Sequence, residues 1–290
     1  MPEEAHPPVE RRLSLAERAA QAGRAKAALS RPSRELPNDA AAQRRLKQPD
    51  RRALDLESAH VLVAGDTAQS VHCPAALVEE LRIIKRQLLA TAFPDRVSRS
   101  LGNSNVIVIT SPSAGEGKSF VALNLALSMS SELDREVLLI DADAGGHALA
   151  NHLHHAGRPG LIDVLAEGHD DAAHAILPTA VPRLSFLPPG RAHPHAAELL
   201  ASRHMAQVIT RLSLAYANGI IIIDTPAVLH SIQAVSLSAC AGQTVVVVEK
   251  DRTTRRALKR TLSLLEGCEN LSCILNMASA ERDTSEYGNH

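Results

Sequence analysis

The sequence predicts an α/β protein with a doubly wound, mostly parallel sheet. Three observations carry that expectation: from about residue 76 apolar runs alternate with helical patterns, several runs are apolar on successive residues, and two end in aspartate. Successive apolar positions suit parallel strands covered on both faces, and the alternation suits crossover connections. In chain order, Leu77, Leu81, Ile84 and Leu88 recur at helical spacing, with Glu79, Arg82, Lys85 and Arg86 on the other faces. Strands are expected over 105–110, 136–141, 184–187, 219–224, 243–249 and 271–275. Between the third and fourth, Ala201, Met205, Val208, Ile209, Leu212 and Tyr216 mark a helix, with Tyr216 as core. Leu258, Leu262 and Leu265 mark another, and Gly267 is placed to end it.

Composition narrows the function classes. The 290 residues are 45% apolar, enough for a substantial core, but only 2% aromatic with no Trp. Recognition of single-stranded nucleic acid by base stacking is therefore not expected. A formal net charge of −1 gives no overall bias toward DNA or anionic lipid. Four scattered cysteines do not make a secreted disulfide framework, and Cys268 and Cys273 lack a second thiol pair for zinc. With no 18-residue apolar run and no signal-peptide core in residues 1–30, a cytoplasmic protein without its own transmembrane segment is expected. Residues 1–58 hold twelve Lys/Arg against nine Asp/Glu. A capping box at Ser14 and Glu17 suits a helix near 15–29, and Pro32, Pro37 and Pro49 interrupt the rest. The expected organisation is a mainly disordered or helical extension over 1–75, one domain over 76–280, and a tail over 281–290.

Within the domain, residues 105–119 read Asn-Val-Ile-Val-Ile-Thr-Ser-Pro-Ser-Ala-Gly-Glu-Gly-Lys-Ser. A β-rich run enters a loop closing on Gly115, Gly117, Lys118 and Ser119, and a helical pattern follows. Glycines let backbone N–H groups approach phosphate oxygens, Lys118 brings a mobile charge, and the Ser119 hydroxyl can hold Mg²⁺. The following helix adds the partial positive charge of its N-terminus. The sheet is thus expected to be of P-loop NTPase type, although Pro112 stands where the pattern places its first glycine. Two later strands deliver Asp141-Ala142-Asp143 and Asp224-Thr225-Pro226 to the sheet's carboxyl edge, where ligands gather. Each aspartate alone also suits a helix N-cap; together, downstream of a P-loop, they point to Mg²⁺ and catalysis.

The ordered set Thr110-Ser111-Pro112, Gly115-Glu116-Gly117-Lys118-Ser119, Leu138-Leu139-Ile140-Asp141-Ala142-Asp143 and Ile221-Ile222-Ile223-Asp224-Thr225-Pro226 resembles the bacterial tyrosine kinases of polysaccharide export. Further stretches resemble their exopolysaccharide-locus, exosortase-associated branch: residues 14–20, 80–89, 198–202 and 264–268. The resemblance covers roughly 14–20 and 76–280. It implies ATP and Mg²⁺ as cofactors, with Ser113, Ala114, Gly115, Glu116, Gly117, Lys118, Ser119, Phe120 and Asn276 around the nucleotide. Lys118, Asp141 and Asp143 would be catalytic, and Ser119, Asp141 and Asp224 would hold the metal. Asp141 would also activate the attacking hydroxyl, a tail tyrosine of a neighbouring subunit. The resemblance further implies a homo-oligomer, with the segment 77–89 packing subunits into rings. A transmembrane chain-length-determinant (polysaccharide co-polymerase) partner would hold the protein at the inner face of the cytoplasmic membrane.

Three positions depart from that pattern. Ala144, Gly145 and Gly146 follow the acidic strand where the family keeps an arginine, Met277 follows Asn276 where it keeps a lysine, and the tail offers Tyr287 in place of a tyrosine cluster. Tyr287 is therefore the expected acceptor, and a catalytically weak, ATP-binding scaffold for a membrane co-polymerase remains the second reading. Partition ATPases rank last, because Ser113 stands where their additional lysine would be. His147, His152, His154 and His155 suit an exposed loop or helix better than a metal site, lacking matched Cys or carboxylate ligands.

Overall fold

The computed structural model of the protein describes residues 75–94, 102–146, 148–153, 155, 157–169 and 171–278. The tail expected over 281–290, and the extension expected over 1–75 apart from Ala75, lie outside them. In chain order the elements are α1 (Ala75–Ala92), β1 (Val106–Thr110), α2 (Lys118–Ser130), β2 (Val137–Asp141), α3 (Ala148–His152), α4 (Leu161–Ala166), β3 (Leu177–Pro178) and β4 (Leu184–Leu187). Then follow α5 (Ala196–Leu200), α6 (Arg203–Ala215), β5 (Ile220–Asp224), α7 (Ile232–Cys240), β6 (Gln243–Glu249), α8 (Arg255–Leu264) and β7 (Leu271–Asn276). The strands form one sheet in the order β3-β4-β2-β5-β1-β6-β7, parallel except for β3 against β4.

The runs of successive apolar residues have the expected cause. Ile107, Ile109, Leu139, Ile222 and Val245 pack with Leu81, Leu88, Val121 and Leu125 of α1 and α2 on one face. Val108, Leu138, Ile140, Ile221 and Ile223 pack with α4 to α7 on the other, through Leu165, Leu200, Val208, Leu212 and Leu237. Each strand residue is therefore buried whichever way it points. The six expected strands agree with the structure to within a residue at each end. Strand β3 was not expected: its two residues are too short for a periodic signal, and they pair with β4 only at Leu177↔Phe186 and Pro178↔Ser185. The short α3, α4 and α5, of five or six residues, likewise escape periodicity.

Two buried amides tie neighbouring elements. Asn105 Nδ2 donates to the carbonyls of Ser213, Tyr216 and Gly219, and its oxygen accepts from the Ser213 hydroxyl at 2.6 Å, fastening the turn between α6 and β5. Gln243 Nε2 donates to the carbonyls of Leu88 and Ser104, which anchors α1 to β6. For the site, the register matters most. Asp141 and Asp224 are direct partners at the ends of β2 and β5, and Ile109 of β1 pairs with Asp224. The loop that leaves β1 thus rises beside both carboxylates.

Candidate active site

The loop after β1 is shaped by its own backbone. Gly115 and Gly117 have φ of +88° and +89°, the left-handed region that side chains disfavour. At Gly117 a side chain would also begin 2.1 Å from Asn276 Nδ2, which donates to the Glu116 carbonyl at 3.1 Å. Glu116 is buried, and its carboxylate accepts from the Ser113 N–H at 2.8 Å and from the Thr253 hydroxyl. Helix α2 starts at Lys118 with Gly117 as its cap and no capping side chain, so its first N–H groups are free for a ligand. Ala114 and Gly115 are exposed at the loop tip. Phe120 packs its side chain against the core.

Three aspartates face this loop from the strand ends. Asp143 pairs with Lys118 Nζ at 3.0 Å and accepts from the Gly146 N–H at 3.0 Å. Asp141 is fully buried and accepts from the N–H groups of Asp143 and Ala150 at 3.0 and 3.1 Å. Burial pushes its pKa up to about 7, against the lowering effect of those bonds. Asp224 is also fully buried, and neither of its oxygens has a hydrogen-bond partner. Its pKa is pushed up to about 8 by burial, against the pull of Lys118. The Ser119 hydroxyl favours the charged form as well, without reaching hydrogen-bonding geometry. For Lys118, burial pulls the pKa down, but Asp224 and Asp143 outweigh it and hold the ammonium charged.

Every site residue expected from the sequence, except Tyr287, is brought to this one edge of the sheet; Tyr287 lies outside the described residues. Tyr216 caps the C-terminal end of α6, is 6% exposed, and has its hydroxyl pushed up to about 12 by burial. Of the histidine cluster, His155 packs its ring 6.2 Å from that of Phe186. The reading of the sequence missed Arg252 and Thr253, which reach the phosphate loop from the turn after β6, and Glu249, which pairs with Arg252. No loop motif marks them, but their place after a parallel strand, on the edge where ligands gather, was an available signal.

Comparison with known proteins identifies the family. A family model described as an AAA domain matches residues 104–274. The tyrosine-protein kinase CpsD of Streptococcus agalactiae is 30% identical over 191 residues, covering 64% of this chain and 82% of the relative. This chain belongs to the bacterial tyrosine-protein kinase family. Another member, the tyrosine-protein kinase Wzc of Salmonella typhimurium, is 32% identical over 219 residues, 69% of this chain and 30% of that protein. The chain spans about a quarter of the length of the first curated kinases it matches, at 24%. The kinase domain of Escherichia coli tyrosine kinase ETK shares the fold, with a TM-score of 0.60 at 24% identity over 73% of this chain and 80% of that domain.

Proposed function

We propose that the chain is an ATP-dependent protein tyrosine autokinase that regulates exopolysaccharide polymerisation and export. The observation that carries this reading is the convergence of Asp141, Asp143 and Asp224 on Lys118 and Ser119, in a member of a kinase family. Backbone N–H groups from Ala114 to Phe120 would cradle the phosphates, with Lys118 leaving Asp143 to meet them, while the Ser113 N–H is held by Glu116. A buried carboxylate with both oxygens unpartnered, beside a serine hydroxyl, fits a divalent cation, so Asp224 and Ser119 would hold Mg²⁺ with Asp141 close by. Bound there, Mg²⁺ supplies charge neutralisation for the transferring phosphoryl group. Asp141, with a pKa near neutrality, suits a proton acceptor. The Tyr287 oxygen of a neighbouring subunit would bond the γ-phosphorus, ADP would leave, and the hydroxyl proton would pass to Asp141.

This reading makes the working unit a homo-oligomer with a transmembrane chain-length-determinant (polysaccharide co-polymerase) partner, at the inner face of the cytoplasmic membrane. Among the described residues no helix is long and apolar enough to cross a membrane. The uncharged Ala144 and Met277 favour a second reading, a nucleotide-switched scaffold for the same partner. Purified protein with labelled ATP and Mg²⁺, probed for phosphotyrosine, separates the two. Phosphotyrosine supports the kinase, whereas nucleotide binding without transfer, with the membrane partner present, supports the scaffold.

A further inference from the structure

A second charged group reaches the phosphate loop from the end of β6. Residues 249–253 read Glu-Lys-Asp-Arg-Thr and turn through Asp251 at φ 63° toward α8. The turn is tied in two directions. The Thr253 hydroxyl donates to the buried Glu116 carboxylate and accepts from the Glu249 N–H at 3.0 Å, while the Thr253 N–H donates to the Glu249 carbonyl at 3.1 Å. Glu116 belongs to the phosphate loop itself, so the turn is fastened to that loop.

This anchoring sets Arg252 over Gly115. Its Nη1 and Nη2 lie 3.1 and 3.5 Å from the point where a side chain would begin on Gly115. The guanidinium is held there by an ion pair with Glu249 at 2.8 Å, and its side chain is 60% exposed. Exposed pairs of this kind are weak and easily exchanged. The site is otherwise poor in positive charge for a polyphosphate. Lys118 is engaged with Asp143, three carboxylates stand around it, and the residues after Asp143 and Asn276 are Ala144 and Met277. A guanidinium binds phosphate through two parallel N–H bonds, which a lysine cannot reproduce.

We propose that Arg252 is a nucleotide-binding residue that exchanges Glu249 for the phosphates of the bound nucleotide and closes over them on the Gly115 side of the loop. Thr253 acts through it as a positioning residue, and Glu249 competes with the ligand. The proposal rests on the nucleotide-binding reading of the loop, and the two fail differently.

The test is calorimetric titration of the full chain and its variants with two probes, Mg-ADP and magnesium tripolyphosphate, with thermal melts to check folding. Arg252→Ala should weaken both probes by about tenfold or more, as expected for losing charge-assisted hydrogen bonds. Arg252→Lys should recover only part of the loss, and Glu249→Gln should tighten both by removing the competitor. Unchanged tripolyphosphate affinity in Arg252→Ala overturns the proposal, whether ADP is unaffected or is weakened through its base alone. Should Arg252→Ala fold poorly, Glu249→Gln decides: tighter binding supports the exchange, and equal or weaker binding overturns it. If the parent binds neither probe, the nucleotide reading of the loop fails first and takes the proposal with it.

Discussion

Lys118 holds Asp143 at 3.0 Å, so nucleotide binding has to replace an existing ion pair rather than meet a free cation. Lys118→Ala and Ser119→Ala should each lower Mg-ATP affinity at least about tenfold in calorimetry while the protein still unfolds in one cooperative melt. Both side chains are only partly buried and sit outside the two main core clusters. Asp141→Asn should separate binding from chemistry. The N–H groups of Asp143 and Ala150 bond different oxygens of Asp141, so the amide keeps an acceptor for only one of them. Nucleotide affinity should persist, but the amide accepts no proton, and phosphotyrosine formation should fall about a hundredfold or more. Normal turnover by Asp141→Asn would remove the acidic strand from catalysis.

At the scale of elements, the entrance to α4 depends on a close approach that only glycine permits. A side chain at Gly160 would begin 2.2 Å from the Pro188 carbonyl oxygen and 2.6 Å from the Gly190 nitrogen, both backbone atoms that cannot swing aside. The same turn carries Asp163, whose carboxylate accepts from the N–H groups of Gly160 and Arg191 and from the Arg191 guanidinium at 2.9, 3.0 and 2.6 Å. Burial raises the Asp163 pKa, but these bonds outweigh it and hold the group below the usual carboxylate range. Gly160→Ala should cost about 2 kcal/mol, a fall in Tm of roughly 4–8 °C by differential scanning. An unchanged Tm would show that this turn yields without cost.

Across the whole molecule, the buried carboxylates make stability depend on pH. Asp141 and Asp224 carry pKa values of about 7 and about 8, above their ordinary value of 3.8, so the folded state binds protons more tightly than the unfolded one. Their contribution is fully present below about pH 4 and is lost as pH rises through 7 to 8. Without ligand, Tm should therefore decline from about pH 5 to about pH 8.5. Asp224→Asn should flatten that decline and raise Tm at the alkaline end. A parent Tm that rises across this window would contradict the burial of these groups as charges in waiting. The autokinase reading adds a test at the same scale. Mass spectrometry after treatment with ATP and Mg²⁺ should place phosphate on Tyr287, and Tyr287→Phe should remove the signal, since the only other tyrosine, Tyr216, is 6% exposed.

The sequence by itself determined the sheet and the phosphate loop, because both depend on local patterns. Runs such as Ile220–Asp224 need burial on two faces, and Gly115 and Gly117 serve a backbone that other residues disfavour. It also announced Asp141 and Asp224, since in a parallel sheet an acid at a strand end faces the ligand edge. Tertiary structure alone decided which strands are neighbours. Asp141 and Asp224 become register partners across β2 and β5, 83 positions apart in sequence, and β1 lies between β5 and β6. It alone also placed Thr253 on Glu116 and Arg252 over Gly115, contacts that join residues 137 positions apart. No pattern in either segment refers to the other. Their meeting follows from the crossovers that lay β6 beside β1, and a linear sequence carries that geometry only through the packing of the whole domain.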